Sequence, residues 1–450
     1  MIPARARFTE GSVSRHVLAM ASTSALSLLA VFLVDILTLV YVSMLHDQTL
    51  LAAVGLAKTL IFINGAFASG VVLAGGAVVA ERIGKHAAKR VARLVSHLLI
   101  MVLGIAGVIA ALELAGIQHM ARWLGADAAA YAAARQFIWI ALPASVLVAA
   151  VQMCAQMLKS QGHVRLALAV LLSGAATLAL ADPLLIFVLG LGLEGAALAY
   201  GLSAIVSLVV GLVLVHRHIG LSVQVNPRLL GLHVGRTLRV ALPAMLANLA
   251  MPVGITYLML TVVAQGASAL AGMAVIDRVL QLGYCVFFAL PGALVPVLAQ
   301  NIGAGRDDRA AAAIASVRRL VVLYGMSIWC LLLVFGASIA DYFELLGSGR
   351  EMFMAFCRFG AGLWILFGLD FVAQAVFITT GRAWYVAAFG WLRGTLGTIP
   401  FVFVGAHWLG ASGAVIGMWG GNALVAMAAI AVGLLQARRF FSQRQIGSFT

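Results

Sequence analysis

Twelve apolar runs, each about as long as a bilayer is thick, limit this chain's possible folds more than any other feature of its sequence. They lie at about 17–45, 50–79, 96–117, 132–158, 166–190, 195–215, 238–264, 269–298, 320–341, 352–380, 385–408 and 413–436. A helix needs about 20 apolar residues to cross the hydrocarbon layer, because only there are all its backbone hydrogen bonds made within one segment. A membrane barrel would instead alternate apolar and polar residues over about ten positions. Runs such as LLIMVLGIAGVIAAL do not alternate. With 63% hydrophobic residues, 10% charged residues and a mean hydropathy of +1.08 over 450 residues, a soluble fold would leave much of this surface in water. The expected fold class is an all-α polytopic membrane protein with twelve transmembrane helices.

The formal charge of +14 raises the question of a nucleic-acid partner, and the distribution of that charge answers it. If the N-terminus is cytoplasmic, 22 of the 29 Lys and Arg fall in cytoplasmic segments. The charge then reads as an orientation signal: an inner (plasma) membrane protein with both termini inside and the lipid bilayer as its partner. MIPARARFTEGSVSR is basic and precedes an apolar run, as in a signal peptide, but that run is too long and carries Asp35. It is read as the first retained helix. Cys154, Cys285, Cys330 and Cys357 lack metal-ligand spacing and read as small core residues. The ten histidines lie mostly at helix ends, which argues against an intramembrane enzyme and its clustered His, Asp or Cys.

The chain also repeats itself at a shift of about 219 residues. Ala80-Glu81-Arg82-Ile83-Gly84 falls on Ala299-Gln300-Asn301-Ile302-Gly303, and Gly162 falls on Gly381. PLLIFVLGLGLEGAALAYG from Pro183 falls, with a one-residue gap, on PFVFVGAHWLGASGAVIGMWG from Pro400. Six helices per copy returns the chain to its starting side, so the copies are expected as two six-helix lobes related by a pseudo-two-fold along the membrane normal. The expected divisions are 1–215 for the first lobe, 216–237 for a cytoplasmic linker and 238–450 for the second lobe with its basic tail. A two-lobe transporter needs no partner subunit, so a monomer is expected. Gly84, Gly162, Gly303 and Gly381 stand at cytoplasmic helix ends, where turns are needed.

Asp35, Asp182, Asp277 and Asp370 all lie within the apolar runs. An ionisable group there costs roughly 2.5–3.5 kcal/mol on insertion scales, so it is a functional candidate by default. Asp35 sits near the middle of the first helix, with Thr38 one turn on and no basic residue on its own helix to neutralise it. Asp182 precedes Pro183, whose missing N–H frees the carbonyl of Ala179 and marks a kink. A carboxylate beside a free carbonyl is a candidate cation or proton site. Asp370 stands one turn before Gln374 and among Trp364, Phe367 and Phe371, a setting that offers negative charge and aromatic surface to a cationic substrate. Asp277 with Arg278, and Lys58, read as structural features of outer helix ends. Glu113 reads as reaching the interface, and Asp307-Asp308 as a solvated helix start where the macrodipole favours acids. No cofactor is called for beyond a coupling ion.

Several segments together resemble the multidrug and toxic compound extrusion (MATE) family. They are VDILTLVYVSML followed by LAAVGL, LKSQGH, DPLLIFVLGLGLEGAALA and PGALVPVLAQNIGAGRDDRAAAA, and the resemblance covers roughly residues 15 to 436. It implies a secondary antiporter that exports small cationic or amphipathic molecules in exchange for protons or sodium by alternating access. Much of that family has a cation site built from an acid on helix one, an Asn four residues before the Asp-Pro of helix five, that Asp, and a Thr on helix six. The matching positions here are Asp35, Leu178, Asp182 and Tyr200. Both acids are kept and both neutral oxygen ligands are changed, which favours protons over sodium. Some members carry an acid on helix seven, where this chain offers Asn248 as a substrate contact. A flippase or exporter of a lipid-linked or other metabolite, and a major-facilitator-type transporter, are the alternatives; the second leaves the DPLLIF and QNIGAG segments unexplained.

Overall fold

In the computed structural model the described residues are 6–45, 48–85, 91–123, 128–222, 224 and 226–447. Among them no strand is present and nearly every residue is helical. Eleven helical stretches are long and apolar enough to span a bilayer. The longest, Trp384–Arg444, holds two helices, because Leu409 (φ −130°) and Gly410 (φ +59°) break it where Gly can take a left-handed backbone.

The first six helices are α1 (Val13–Ser43), α2 (Gln48–Gly84), α3 (Val91–Trp123), α4 (Ala128–Ser160), α5 (Val164–Pro183) and α6 (Gly192–His218). Of the remaining six, α7 is Pro227–Val263, α8 is Ala267–Gly283 and Cys285–Gly303 broken at Tyr284, and α9 is Asp307–Tyr342. The tenth, α10, is Gly347–Ala355 and Ala361–Thr379 joined by a π-helical turn, Phe356–Gly360. Trp384–Gly394 and residues 399–408 form α11, and residues 411–447 form α12. The twelve apolar runs all appear as helices, but α7, α9 and α12 extend well beyond them. Their extra turns carry Arg and Asp, which a hydropathy criterion excludes although they are helix-compatible.

The chain divides into two compact units, residues 1–7 with 26–245 and residues 8–25 with 246–450. This differs from the expected division at 215 and 238 in two places. The beginning of α1 belongs to the second unit, where the Phe8 N–H donates to Gln300 Oε1 (3.1 Å) and Arg309 Nη2 donates to the carbonyls of Phe8, Glu10 and Gly11. Residues 216–245, holding the expected linker and the start of α7, belong to the first unit. There Gly70 lies so close to α7 that a Cβ would stand 2.7 Å from the Met245 amide nitrogen.

In the first unit α4 packs against α2, α3, α5 and α6. Its apolar face joins Val71, Val79, Leu94, Leu98, Met153 and Leu158 in one core. Burying such side chains contributes about 1.5–3 kcal/mol each relative to exposure in water. Between helices in lipid, close small-residue contact contributes instead: Gly76 abuts Gln156, and Ser160 Oγ donates to the Gly76 carbonyl (3.2 Å). In the second unit α10 packs against α8, α9 and α12. Tyr284 at the α8 break is fully buried and donates its hydroxyl to the Ala361 carbonyl at 2.7 Å, while Trp419 of α12 lies on Gly360 and Phe356.

Candidate functional site: acids of the two units

Pro183 ends regular α5 geometry, and Leu184–Val188 follow as a π-helical turn. Helices shed or widen hydrogen bonds in this way around a residue with no N–H. The turn is held from two sides. Tyr41 of α1 packs edge-on to Phe187 (5.9 Å between centroids), and Gly195 of α6 sits where a Cβ would come within 2.7 Å of the Leu185 carbonyl. The result fixes Asp182, fully buried, against α1.

Thr38 donates its hydroxyl to Asp182 Oδ2, so Thr38 serves the acid on α5 rather than Asp35 on its own helix. The other oxygen, Asp182 Oδ1, is buried with no hydrogen-bond partner among the described residues. Asp35, one turn before Thr38, has 54% of its side chain uncovered and stands 3.9 Å from Lys58 Nζ of α2. Its own apolar run supplies no basic partner, and the counter-charge to Asp35 comes from another helix. Asp35 and Lys58 both lie within electrostatic reach of Asp182, and Asp35 within reach of Tyr200. Four helices of one unit thus bring together Asp35, Thr38, Lys58, Asp182 and Tyr200. Leu178, one turn before Asp182, is half-buried and contributes no oxygen from its side chain. With both acids ionised and Lys58 protonated, the cluster carries one net negative charge.

Asp370, in the second unit, is 1% exposed and accepts from Gln374 Nε2 (2.8 Å), as the one-turn spacing predicts. It also meets Arg393 Nη1 of α11 at 2.9 Å, so its charge is compensated and no longer stands free for a cationic substrate. The guanidinium is 5.7 Å from the centre of the Phe367 ring, which stacks on Trp364: the cation over this aromatic surface is the chain's own. Arg393 reaches this position because α11 lies against α7, with Gly394 at the Ala250 carbonyl and Gly390 at Ala247. Asn248 lies between those contacts in sequence and is half-buried.

The remaining acids also differ in part from expectation. Glu113 is 4% exposed, so it is buried in the first unit rather than reaching the interface. Asp277 accepts from Gln281 (2.8 Å), which in turn accepts from Arg278 (3.0 Å), so an amide bridges the two neighbouring charges. Asp307 pairs with Arg444 of α12 at 3.3 Å, while Asp308 is exposed. Lys58 and Arg393 were the residues that sequence reasoning missed as site members. A signal existed, since both are basic residues inside apolar runs and need an acid nearby, but spacing along one helix cannot say which acid.

Acids set within two units of spanning helices define a polytopic membrane protein with a polar interior. The sequence profile of the MatE family matches residues 24–182 and 243–404, and the chain belongs to that family. Solved structures share its fold. The VcmN transporter of Vibrio cholerae superposes with a TM-score of 0.89 at 18% identity, covering 96% of this chain and 97% of that one. A Pyrococcus furiosus transporter of the MOP superfamily, whose binding pocket is described as having reverse polarity, superposes at 0.86 with 20% identity over 98% of each chain. Among curated proteins, an uncharacterised 21 kDa protein of Pseudomonas savastanoi is 38% identical over 237 residues, 51% of this chain and 76% of its own length. A FAD transporter of Shewanella oneidensis is 28% identical over 196 residues, 42% of this chain and 43% of its own length.

Proposed function

We propose that the chain is an antiporter of the inner membrane that exports small cationic or amphipathic molecules in exchange for protons, as a monomer with both termini in the cytoplasm. The observation that carries this reading is the cluster of Asp35, Asp182, Thr38 and Lys58, which holds two acids and one base. Ionised, it keeps one uncompensated negative charge that attracts a cation. Protonation of either acid removes that charge and loosens the cargo, and this differential affinity is what allows an ion gradient to drive alternating access. A proton also suits the donor set better than sodium. Hard cations want several oxygens, and the set supplies two carboxylates, a hydroxyl already donating to Asp182 and the phenol of Tyr200, with nothing from the side chain of Leu178. Asp35, largely uncovered within a membrane span, is tolerable where it faces water.

The role of Asp370 in this reading is to hold Arg393 in place, with Gln374 as a further polar contact, while Asn248 on α7 is kept as a candidate substrate contact. A second reading, export of an anionic metabolite, draws on the Shewanella relative named as a FAD transporter and on Arg393, a cation held against an aromatic surface. Both readings meet the same experiment. Proteoliposomes with an imposed proton or sodium gradient are assayed for movement of a fluorescent organic cation or of FAD. Proton-driven cation movement that is lost in both Asp35→Asn and Asp182→Asn is the expected result. Normal transport in Asp35→Asn, or transport driven by sodium alone, overturns the mechanism, and movement of FAD alone replaces the substrate class.

A further inference from the structure

Glu113 takes no part in the cluster above, yet it is among the most deeply buried acids of the first unit. Glu113 stands on α3 two turns beyond Ala106 and on the same face of the helix. Asn64 of α2, fully buried, reaches that face and donates Nδ2 to the Ala106 carbonyl at 2.9 Å. The Asn64 amide stands beside Glu113 without meeting full hydrogen-bond geometry. Three buried oxygens, Glu113 Oε1, Glu113 Oε2 and Asn64 Oδ1, are left without a partner among the described residues. No described Lys, Arg or His forms an ion pair with Glu113.

An ionised Glu113 would leave three bare acceptors and an uncompensated charge in an apolar interior, where an acceptor without a donor is unfavourable and a charge more so. A single added hydrogen cures most of this. A neutral carboxyl gains one O–H, and Asn64 Oδ1 is the acceptor it lacks. We propose that Glu113 is a proton-binding site distinct from the Asp35–Asp182 cluster, with its proton directed at Asn64 Oδ1. The two sites do not share a face of α2. Lys58 and Asn64 are six residues apart, which at 100° and 1.5 Å per residue sets them about 120° apart around the axis and about 9 Å along it. The Glu113 site thus gives the first unit a second place to carry a proton between α2 and α3.

The test uses infrared spectroscopy of the full chain carrying Asp35→Asn and Asp182→Asn, so that its outcome is independent of the proposed exchange mechanism. At neutral pH a protonated-carboxyl C=O band, shifted in D2O, is expected, and it should be lost when Glu113→Gln is added. Gln keeps a donor for Asn64 Oδ1, so this variant retains the fold. Asn64→Ala removes the acceptor and should move the same band to higher frequency. Absence of the band in the parent, or a spectrum in which Glu113→Gln changes only carboxylate bands, overturns the proposal. So does disappearance of the band on adding sodium, which would make the three oxygens a metal-cation site.

Discussion

Removing either member of the Asp370–Arg393 pair leaves the other without its counter-charge, but the two losses are unequal. Asp370 is 1% exposed and its partner side chain 18% exposed, so a stranded Arg393 can turn toward solvent or headgroups whereas a stranded Asp370 cannot. Breaking a buried pair from one side typically costs about 3–5 kcal/mol. Arg393→Met is therefore expected at that full cost in thermal unfolding of the detergent-solubilised protein, with Asp370→Asn below it. The double substitution should recover most of the loss; equal costs for the two single variants would contradict this assignment. The sequence disclosed these residues unevenly. Acids inside apolar runs advertise themselves, and Gln374 was readable from its one-turn spacing. The pairings Asp35–Lys58 and Asp370–Arg393 were not, because each joins different helices and nothing in local periodicity encodes that contact.

At the turn between α4 and α5, Gly162 adopts φ +79° and the His163 N–H donates to the Leu158 carbonyl (2.9 Å), closing the helix end. Gly381 repeats this backbone at φ +78°, so two of the four glycines expected to permit turns do so in the left-handed region, while Gly84 and Gly303 end helices in helical geometry. The His163 ring meets His218 of α6 edge-on at 5.0 Å. Partial burial, then the nearby charges of Arg7 and His218, lower its pKa from 6.5 to about 4. Between those two values the unfolded chain binds a proton that the folded chain refuses, so stability falls as the pH drops through this window. The thermal midpoint should decline from pH 7 to pH 4.5, and His163→Gln should flatten that decline without altering the midpoint's value at pH 8. An unchanged slope would show that this helix junction does not carry the effect. Helix existence was legible here from apolar length and turn residues. The helix ends of α7, α9 and α12 were not, because extensions that carry charged residues look like loops to a hydropathy window.

For the whole chain, orientation decides which gradient the proposed exchanger can use, and charge supplies the argument. Cytoplasmic retention of Lys and Arg acts on short loops near helix ends, and segments such as Arg306–Arg309 are of that kind, whereas the loop at Ala264–Gly266 carries none. The expected topology therefore puts Asp308 inside and Ala267 outside, and both positions are exposed. In a variant whose four cysteines are replaced, a membrane-impermeant maleimide applied to intact cells should label Ala267→Cys at once and Asp308→Cys only after permeabilisation. The reverse pattern would invert the molecule. Protons entering down their gradient would then meet the Asp35–Asp182 cluster from the opposite face, and the same charge competition would drive uptake instead of export. Labelling of both residues in intact cells would mean a mixed topology, for which neither direction of coupling holds.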